Sequence, residues 1–335
     1  MQTRSTLYFL RIPGFNRSGF WALICLFLFA CSPQAQNSTN NKQSTSDPVE
    51  PLLLTPTTET FFPEFEELIV TIDSLKIYAV KGGSGPPLLL LHGAPESHVM
   101  WRKLGPELAK NFTVIAPDLR GYGRSDKPFE ADYSKRRMAA DQVELMEALG
   151  YDQFLIASHD RGSHVARRLA KDYPGKVKKM ILMDIIPATY VWTHINEKVA
   201  NRYWSWLFWS QPYPIPEKLM GPQAGDFARM TTGEDVEAGN DYAATNGSTA
   251  AFHAMCEDYR ASKNIDIDHD LADANVKITT PTLVIWGEKS NTAALDYPEI
   301  WNNEVEKVAF LELDCGHFVV EEQPDEILNA ILSFF

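Results

Sequence analysis

The chain has 335 residues, 44% of them hydrophobic, enough for one large α/β domain of roughly 250 to 300 residues with an additional piece at one end. Its net charge is −13 and no run of Lys or Arg occurs, so the basic footprint that neutralises nucleic-acid phosphates is missing and nucleic acid is not an expected partner. An anionic small molecule stays open as a substrate, because an arginine in a closed pocket outweighs a distant surface field.

The additional piece is N-terminal. Arg4, Arg11 and Arg17 precede an uncharged apolar run, Gly19 to Ala30, too short to span a bilayer, which reads as the hydrophobic region of a signal peptide. The run ends Leu28-Phe29-Ala30-Cys31, which resembles a bacterial lipoprotein processing site. Residues 1–31 are therefore expected to direct export, with lipidated Cys31 tethering the mature protein to a membrane facing the periplasm or cell surface of a bacterium, ordinary secretion or a retained signal anchor being the alternatives. Residues 32–62, rich in Ser, Thr, Asn, Gln and Pro, are too polar to bury a core and are expected to form a disordered tether.

Leu68-Ile72 and Leu75-Val80 alternate apolar and polar residues like the outer strands of a sheet, and the apolar run Pro87-Leu91 suits a strand buried on both faces. Phe112-Ala116, Gln153-Ala157, Lys179-Met183 and Thr282-Trp286 share that second character, and Val308-Leu313 supplies a last strand. Amphipathic stretches such as Ser134-Leu149 and Ser163-Tyr173 lie between them, which predicts an α/β fold with a mostly parallel, eight-stranded sheet covered on both faces. From Pro187 to Lys263 no strand pattern occurs, and Tyr190, Trp192, Tyr203, Trp204, Trp206, Phe208, Trp209 and Tyr213 crowd together. A helical lid (187–263) inserted after the sixth strand accounts for this, the core being 63–186 and 264–335. Cys256 and Cys315 fit no metal spacing and are expected as two unpaired buried thiols, although an exported protein would permit a disulfide.

The strand Gln153-Ala157 runs into Ser158-His159-Asp160-Arg161-Gly162 and then a helix, the small-x-nucleophile-x-small pattern of a sharp strand-to-helix turn. Asp160 holds the nucleophile position, where a helix start offers N–H groups and a positive dipole to an anion. Such an Asp taken alone is more often an N-cap. Its partners make the pattern specific: His317 follows the last strand, and Asp184, at the end of Lys179-Met183, is placed to hold the imidazole tautomer. Glu288, in the loop after Thr282-Trp286, is the alternative acid. Upstream, Pro87-Leu91 ends in His92-Gly93-Ala94-Pro95, so the Ala94 N–H is expected to join that of Arg161 as an oxyanion hole.

From Phe65 to Phe335 the chain resembles α/β-hydrolases of the haloacetate dehalogenase and epoxide hydrolase branch, with closest likeness to fluoroacetate dehalogenases, through HGAPESHVMW, DLRGYGRSDKP, SHDRGSHV, MDIIP, QPYPIPE, MCEDYRA and GHFVVEE. The resemblance implies that Arg161 binds a substrate carboxylate and that Trp206 and Tyr259 receive the departing halide. Three positions depart from the pattern: His164 stands where a second carboxylate-binding arginine is expected, Ser205 where a halide-pocket histidine precedes Trp206, and Ala94 where a bulky aromatic is usual. Each departure is expected to loosen the pocket, which weakens the case for C–F cleavage and leaves chloro, bromo and larger 2-halo acids.

A carboxylate nucleophile suits saturated carbon: attack on a halide- or epoxide-bearing carbon gives an alkyl ester, which a histidine-activated water then hydrolyses. No metal or organic cofactor is needed. The leading expectation is a dehalogenase of 2-halocarboxylic acids acting without a macromolecular partner other than a possible second copy. An epoxide hydrolase with Tyr259 as proton donor is the alternative, and a tethered binding protein on a disused scaffold is the third reading.

Overall fold

The computed structural model describes residues 58–335 apart from Glu234, so the expected signal segment, Cys31 and most of the expected tether lie outside the described residues. Eight strands, β1 (Glu66–Ile72), β2 (Leu75–Gly83), β3 (Pro87–Leu91), β4 (Thr113–Pro117), β5 (Phe154–His159), β6 (Val177–Met183), β7 (Thr282–Gly287) and β8 (Val308–Leu313), form one sheet in the order β1-β2-β4-β3-β5-β6-β7-β8. β2 runs antiparallel to both neighbours and every other pairing is parallel.

The apolar runs are continuous because both faces are covered. Leu89, Leu91, Ile156, Leu182 and Val284 belong to one hydrophobic core, while Leu88, Leu90, Leu155, Met183 and Ile285 belong to the other. Successive residues of a strand point to opposite faces, so a strand buried on both sides has no position left for a polar residue. Ser134 caps the helix Lys135–Ala148 by accepting from the Arg137 N–H, and Gly150 follows its end at φ 86°, a conformation that costs glycine nothing.

Two expected boundaries move. Phe61 and Phe62 are buried, and the Phe62 ring packs against Phe65 and His98 at 5.3 and 5.5 Å between centroids. The fold thus starts before residue 63, because a pair of aromatics at the edge of a polar stretch finds a place in the core. The insertion after β6 is helical as expected, but it runs from Ala188–Thr193 through Ile265–Ala272 rather than ending at 263. That last helix is retained by charge: Arg167 holds Asp270 through bonds of 2.9 Å. The inner face of the insertion, including Val199, Tyr203, Trp206, Trp209, Phe252 and Tyr259, completes the first core. Cys256 and Cys315 are both buried and free. Among the described residues no helix is long and apolar enough to cross a membrane.

Candidate active site

β5 ends at His159 in extended backbone, and Asp160 opens the helix Asp160–Asp172 at φ 41°. A non-glycine residue in that region stores strain on the order of 1–3 kcal/mol and persists only where its surroundings over-determine it. Here they do: the Ser158 hydroxyl donates to the Ile181 carbonyl at 3.0 Å and accepts from the Ser163 hydroxyl at 3.0 Å. Gly162 is dictated by contact, since a Cβ there would lie 2.4 Å from the His92 carbonyl oxygen.

The loop after β3 meets this turn. The Ala94 N–H donates to Asp160 Oδ2 at 3.0 Å, whereas Arg161, the other expected oxyanion donor, makes no backbone bond to the carboxylate. His92 shapes the loop from behind. Its Nε2 accepts from the Leu119 N–H at 2.9 Å, so Nδ1 carries the proton it gives to the Gly93 carbonyl at 2.7 Å, and burial lowers its pKa and keeps it neutral.

His317 follows β8 and directs Nε2 to within 4.0 Å of Asp160 Oδ1, while Nδ1 is hydrogen-bonded to Asp184 Oδ2. Asp184 sits just beyond β6 at φ 48°, almost fully buried. Its Oδ1 accepts from the Gly287 N–H at 3.1 Å and the Thr292 hydroxyl at 3.2 Å, and Thr292 in turn accepts from Tyr297 at 2.6 Å. These groups come from the loop after β7, the same segment that carries the alternative acid Glu288, which is exposed. That loop supports the acid and does not supply it. Burial works against a charged His317, but the Asp184 hydrogen bond and the Asp160 and Asp184 charges outweigh it and raise its pKa to about 9.

Between this group and the lid lies a cavity of about 110 Å³, lined by Asp160, His164, Tyr203, Ser205, Trp206, Trp209, Phe227, Tyr259 and the Asn291-Thr292 pair among others. Ala94 and Ser205 line it together with the bulky Trp206, Trp209, Phe227 and Phe318. A dry cavity of about 150 Å³ accepts benzene, so by proportion the space here suits about four or five non-hydrogen atoms.

Arg161 requires a correction. It is fully buried and is not among the residues lining the cavity. Its Nη2 and Nε bind Asp258 at 2.5 and 3.1 Å, and its guanidinium carbon lies 4.3 Å from the Tyr259 ring centre and 5.4 Å from that of Trp206. A buried guanidinium needs a counter-charge, which Asp258 provides from the lid. Burial opposes ionisation of Asp258, but Arg161 and Lys135 hold its carboxyl well below the usual range. Arg161 Nη1 remains without a partner. His164 lines the cavity edge-on to Trp206 at 5.6 Å and is kept neutral, its pKa lowered by burial and by the nearby Arg161 charge.

Three residues were not singled out from the sequence. Tyr203 and Trp209 line the cavity with a buried hydroxyl and a buried indole N–H that have no protein partner. Their signal was the spacing Tyr203, Trp206, Trp209, which is one helical face, with Trp204 exposed on the other. Asp258 carried no signal beyond its place before Tyr259. Among the described residues no cluster of His, Cys, Asp and Glu could hold a metal ion.

A strand-to-helix turn bearing a carboxylate, a histidine after the last strand and an acid after β6, under a helical lid, define an α/β hydrolase. Residues 86–324 match the family model of the alpha/beta hydrolase fold, and the chain belongs to that family. It is 37% identical over 287 residues to a fluoroacetate dehalogenase from Burkholderia sp, covering 82% of this chain and 94% of that one. To a soluble epoxide hydrolase from Corynebacterium sp. (strain C12) it is 32% identical over 278 residues, covering 79% and 95%. Among solved structures, ALR0039 from Nostoc sp PCC 7120 superimposes with a TM-score of 0.77 at 43% identity, covering 81% of this chain and 97% of that one. The protein is an α/β-hydrolase enzyme related to both dehalogenases and epoxide hydrolases.

Proposed function

We propose that the protein hydrolyses short 2-halocarboxylic acids through a covalent ester of Asp160. The observation that carries this is a carboxylate, not a hydroxyl, at the turn, its free oxygen 4.0 Å from His317 Nε2, inside a cavity of about 110 Å³. With Oδ2 held by the Ala94 N–H, Oδ1 attacks the halogen-bearing carbon from behind. The C–Oδ1 bond forms as the C–halogen bond breaks, and the halide leaves with the bonding pair toward Trp206 and Tyr259, which both line the cavity. His317 Nε2 then takes a proton from water, the hydroxide adds to Asp160 Cγ, and Ala94 steadies the oxyanion. Collapse expels the alkoxide of the 2-hydroxy acid, which takes the proton from His317, and Asp160, left as the carboxylic acid, releases its remaining proton to solvent and is a carboxylate again. Arg161, through Nη1 and the two rings stacked on it, supplies positive field for the substrate carboxylate from behind the cavity wall.

The charge balance assists the second step. The Asp160 carboxylate is one of the charges that raise the His317 pKa to about 9, and esterification neutralises it. The imidazole's pKa falls in the intermediate, which releases the base when it is needed. Ester hydrolysis is therefore expected to speed up with rising pH through a titration below about 9, since the neutral form is the base, measured as single-turnover decay of the ester.

One observation favours a second reading, epoxide hydrolysis: Tyr203 joins Tyr259 on the cavity, and burial, with the Asp184 and Asp160 charges, raises the Tyr203 pKa and keeps it a donor. Two phenols could protonate an epoxide oxygen. The test is intact mass of His317→Ala incubated separately with chloroacetate, fluoroacetate and a small aryl epoxide. A carboxymethyl adduct on Asp160 is expected with chloroacetate. Adduct from the epoxide alone would replace the proposal with the second reading, and adduct from none would remove both.

A further inference from the structure

We infer that Glu96 is a positioning residue for ester hydrolysis, registering the oxyanion loop, the nucleophile turn and the His317 loop through one carboxylate and the His159 imidazole. The inference rests on the aspartyl-ester reading above.

Glu96 is 1% exposed and its neighbour in the network, His159, is fully enclosed. Glu96 Oε2 accepts from the Gly93 N–H at 3.1 Å, which fixes the peptide preceding the Ala94 donor. The same oxygen bonds His159 Nδ1 at 2.9 Å. On the far side of the ring, His159 Nε2 lies 2.8 Å from the backbone carbonyl of His317, which can only accept, so Nε2 carries a proton. The two imidazoles lie 4.9 Å apart, tilted by 44°. The lid grips the loop from its other side, where Asn246 donates to the Pro95 and Glu96 carbonyls at 3.0 Å each.

Buried polar chains of this kind are costly unless satisfied, and this one joins segments that follow three different strands, β3, β5 and β8. Nothing in the chain touches the leaving-group donors Trp206 and Tyr259. Its end point is the backbone of the general base. Alkylation uses the Asp160 oxygen and the halide donors, whereas hydrolysis requires His317 Nε2 at the correct distance from a water beside Asp160 Cγ. Loss of Glu96 thus acts on the second step, since a displacement of about 1 Å in a catalytic group costs on the order of 10²-fold.

The experiment follows both steps with chloroacetate by rapid-quench intact mass in the wild type, Glu96→Ala, Glu96→Gln, His159→Asn and His317→Ala. Glu96→Ala is expected to slow ester hydrolysis by about 10- to 100-fold with alkylation changed less than about 3-fold, so that ester accumulates during turnover. His159→Asn cuts the link at its other end and is expected to give the same imbalance, which covers the case in which Glu96→Ala does not fold. Glu96→Gln is expected to fall between the wild type and Glu96→Ala: with its amide oxygen at the Oε2 position it still accepts from the Gly93 N–H, but it meets His159 Nδ1 only when that ring is cationic, with no carboxylate to balance it. Equal loss of both steps in the Ala and Asn variants, or a Gln variant more impaired than Ala, would overturn the inference. Absence of ester in His317→Ala would instead remove the covalent mechanism on which it rests.

Discussion

Asp160→Asn is expected to lower the proposed turnover of chloroacetate by at least about 10³-fold and to leave the fold intact, as is typical when a covalent nucleophile is lost. The substitution separates chemistry from structure. Asparagine tolerates positive φ better than almost any other side chain with a Cβ, so the turn at φ 41° keeps its shape. Its amide oxygen can still accept from the Ala94 N–H, which now holds Oδ2 at 3.0 Å. What it lacks is a second oxygen with nucleophilic charge facing the cavity. Steady-state halide release, with thermal unfolding of the same preparation, checks both halves. Unchanged turnover would sink the covalent mechanism. A wild type that binds without turning over, matched by the Asn variant, would return the protein to the binding-module reading.

Asp258→Ala is expected to destabilise the fold by about 3–5 kcal/mol, the usual consequence of removing one partner from a buried ion pair. Asp258 is fully buried and receives Arg161, Lys135 and the Tyr122 hydroxyl at 2.8 Å. Its removal strands two buried cations with no solvent to receive them. The denaturant midpoint should fall at unchanged slope. A loss under about 1 kcal/mol would show that Arg161 finds another partner, and the account of its withdrawal from the cavity would fail with it. The same pairing bears on the proposed reaction: Arg161 cannot swing into the cavity without breaking its bonds to Asp258, which leaves its field and the unpartnered Nη1 as what it could offer a substrate carboxylate.

Local rules made much of this protein legible from its sequence. Continuous apolar runs marked the buried strands because both faces are covered, and the small residues flanking Asp160 marked a turn that has no room for side chains. Its place directly at the end of the strand Lys179-Met183 then favoured Asp184 over Glu288 as partner of His317, and coordinates agree: the Gly287 N–H and the Thr292 hydroxyl are spent on Asp184. Phe61 and Phe62 were misassigned because composition averages over a window and overlooks two aromatics at its edge.

By itself, then, the sequence determined the sheet, the insertion after the sixth strand and the segments bearing Asp160, Asp184 and His317, since each depends on neighbours a few residues away. The tertiary structure decided what depends on distant partners. Asp258 lies 97 positions from Arg161 yet takes its charge, and Glu96 lies 63 from His159 yet shares its proton. The cavity brings Trp206, Trp209 and Phe227 of the lid together with Ala94, Asp160 and His317 of the core. Volume and charge pairing are properties of packing, and no periodicity in the chain encodes which side chains will meet.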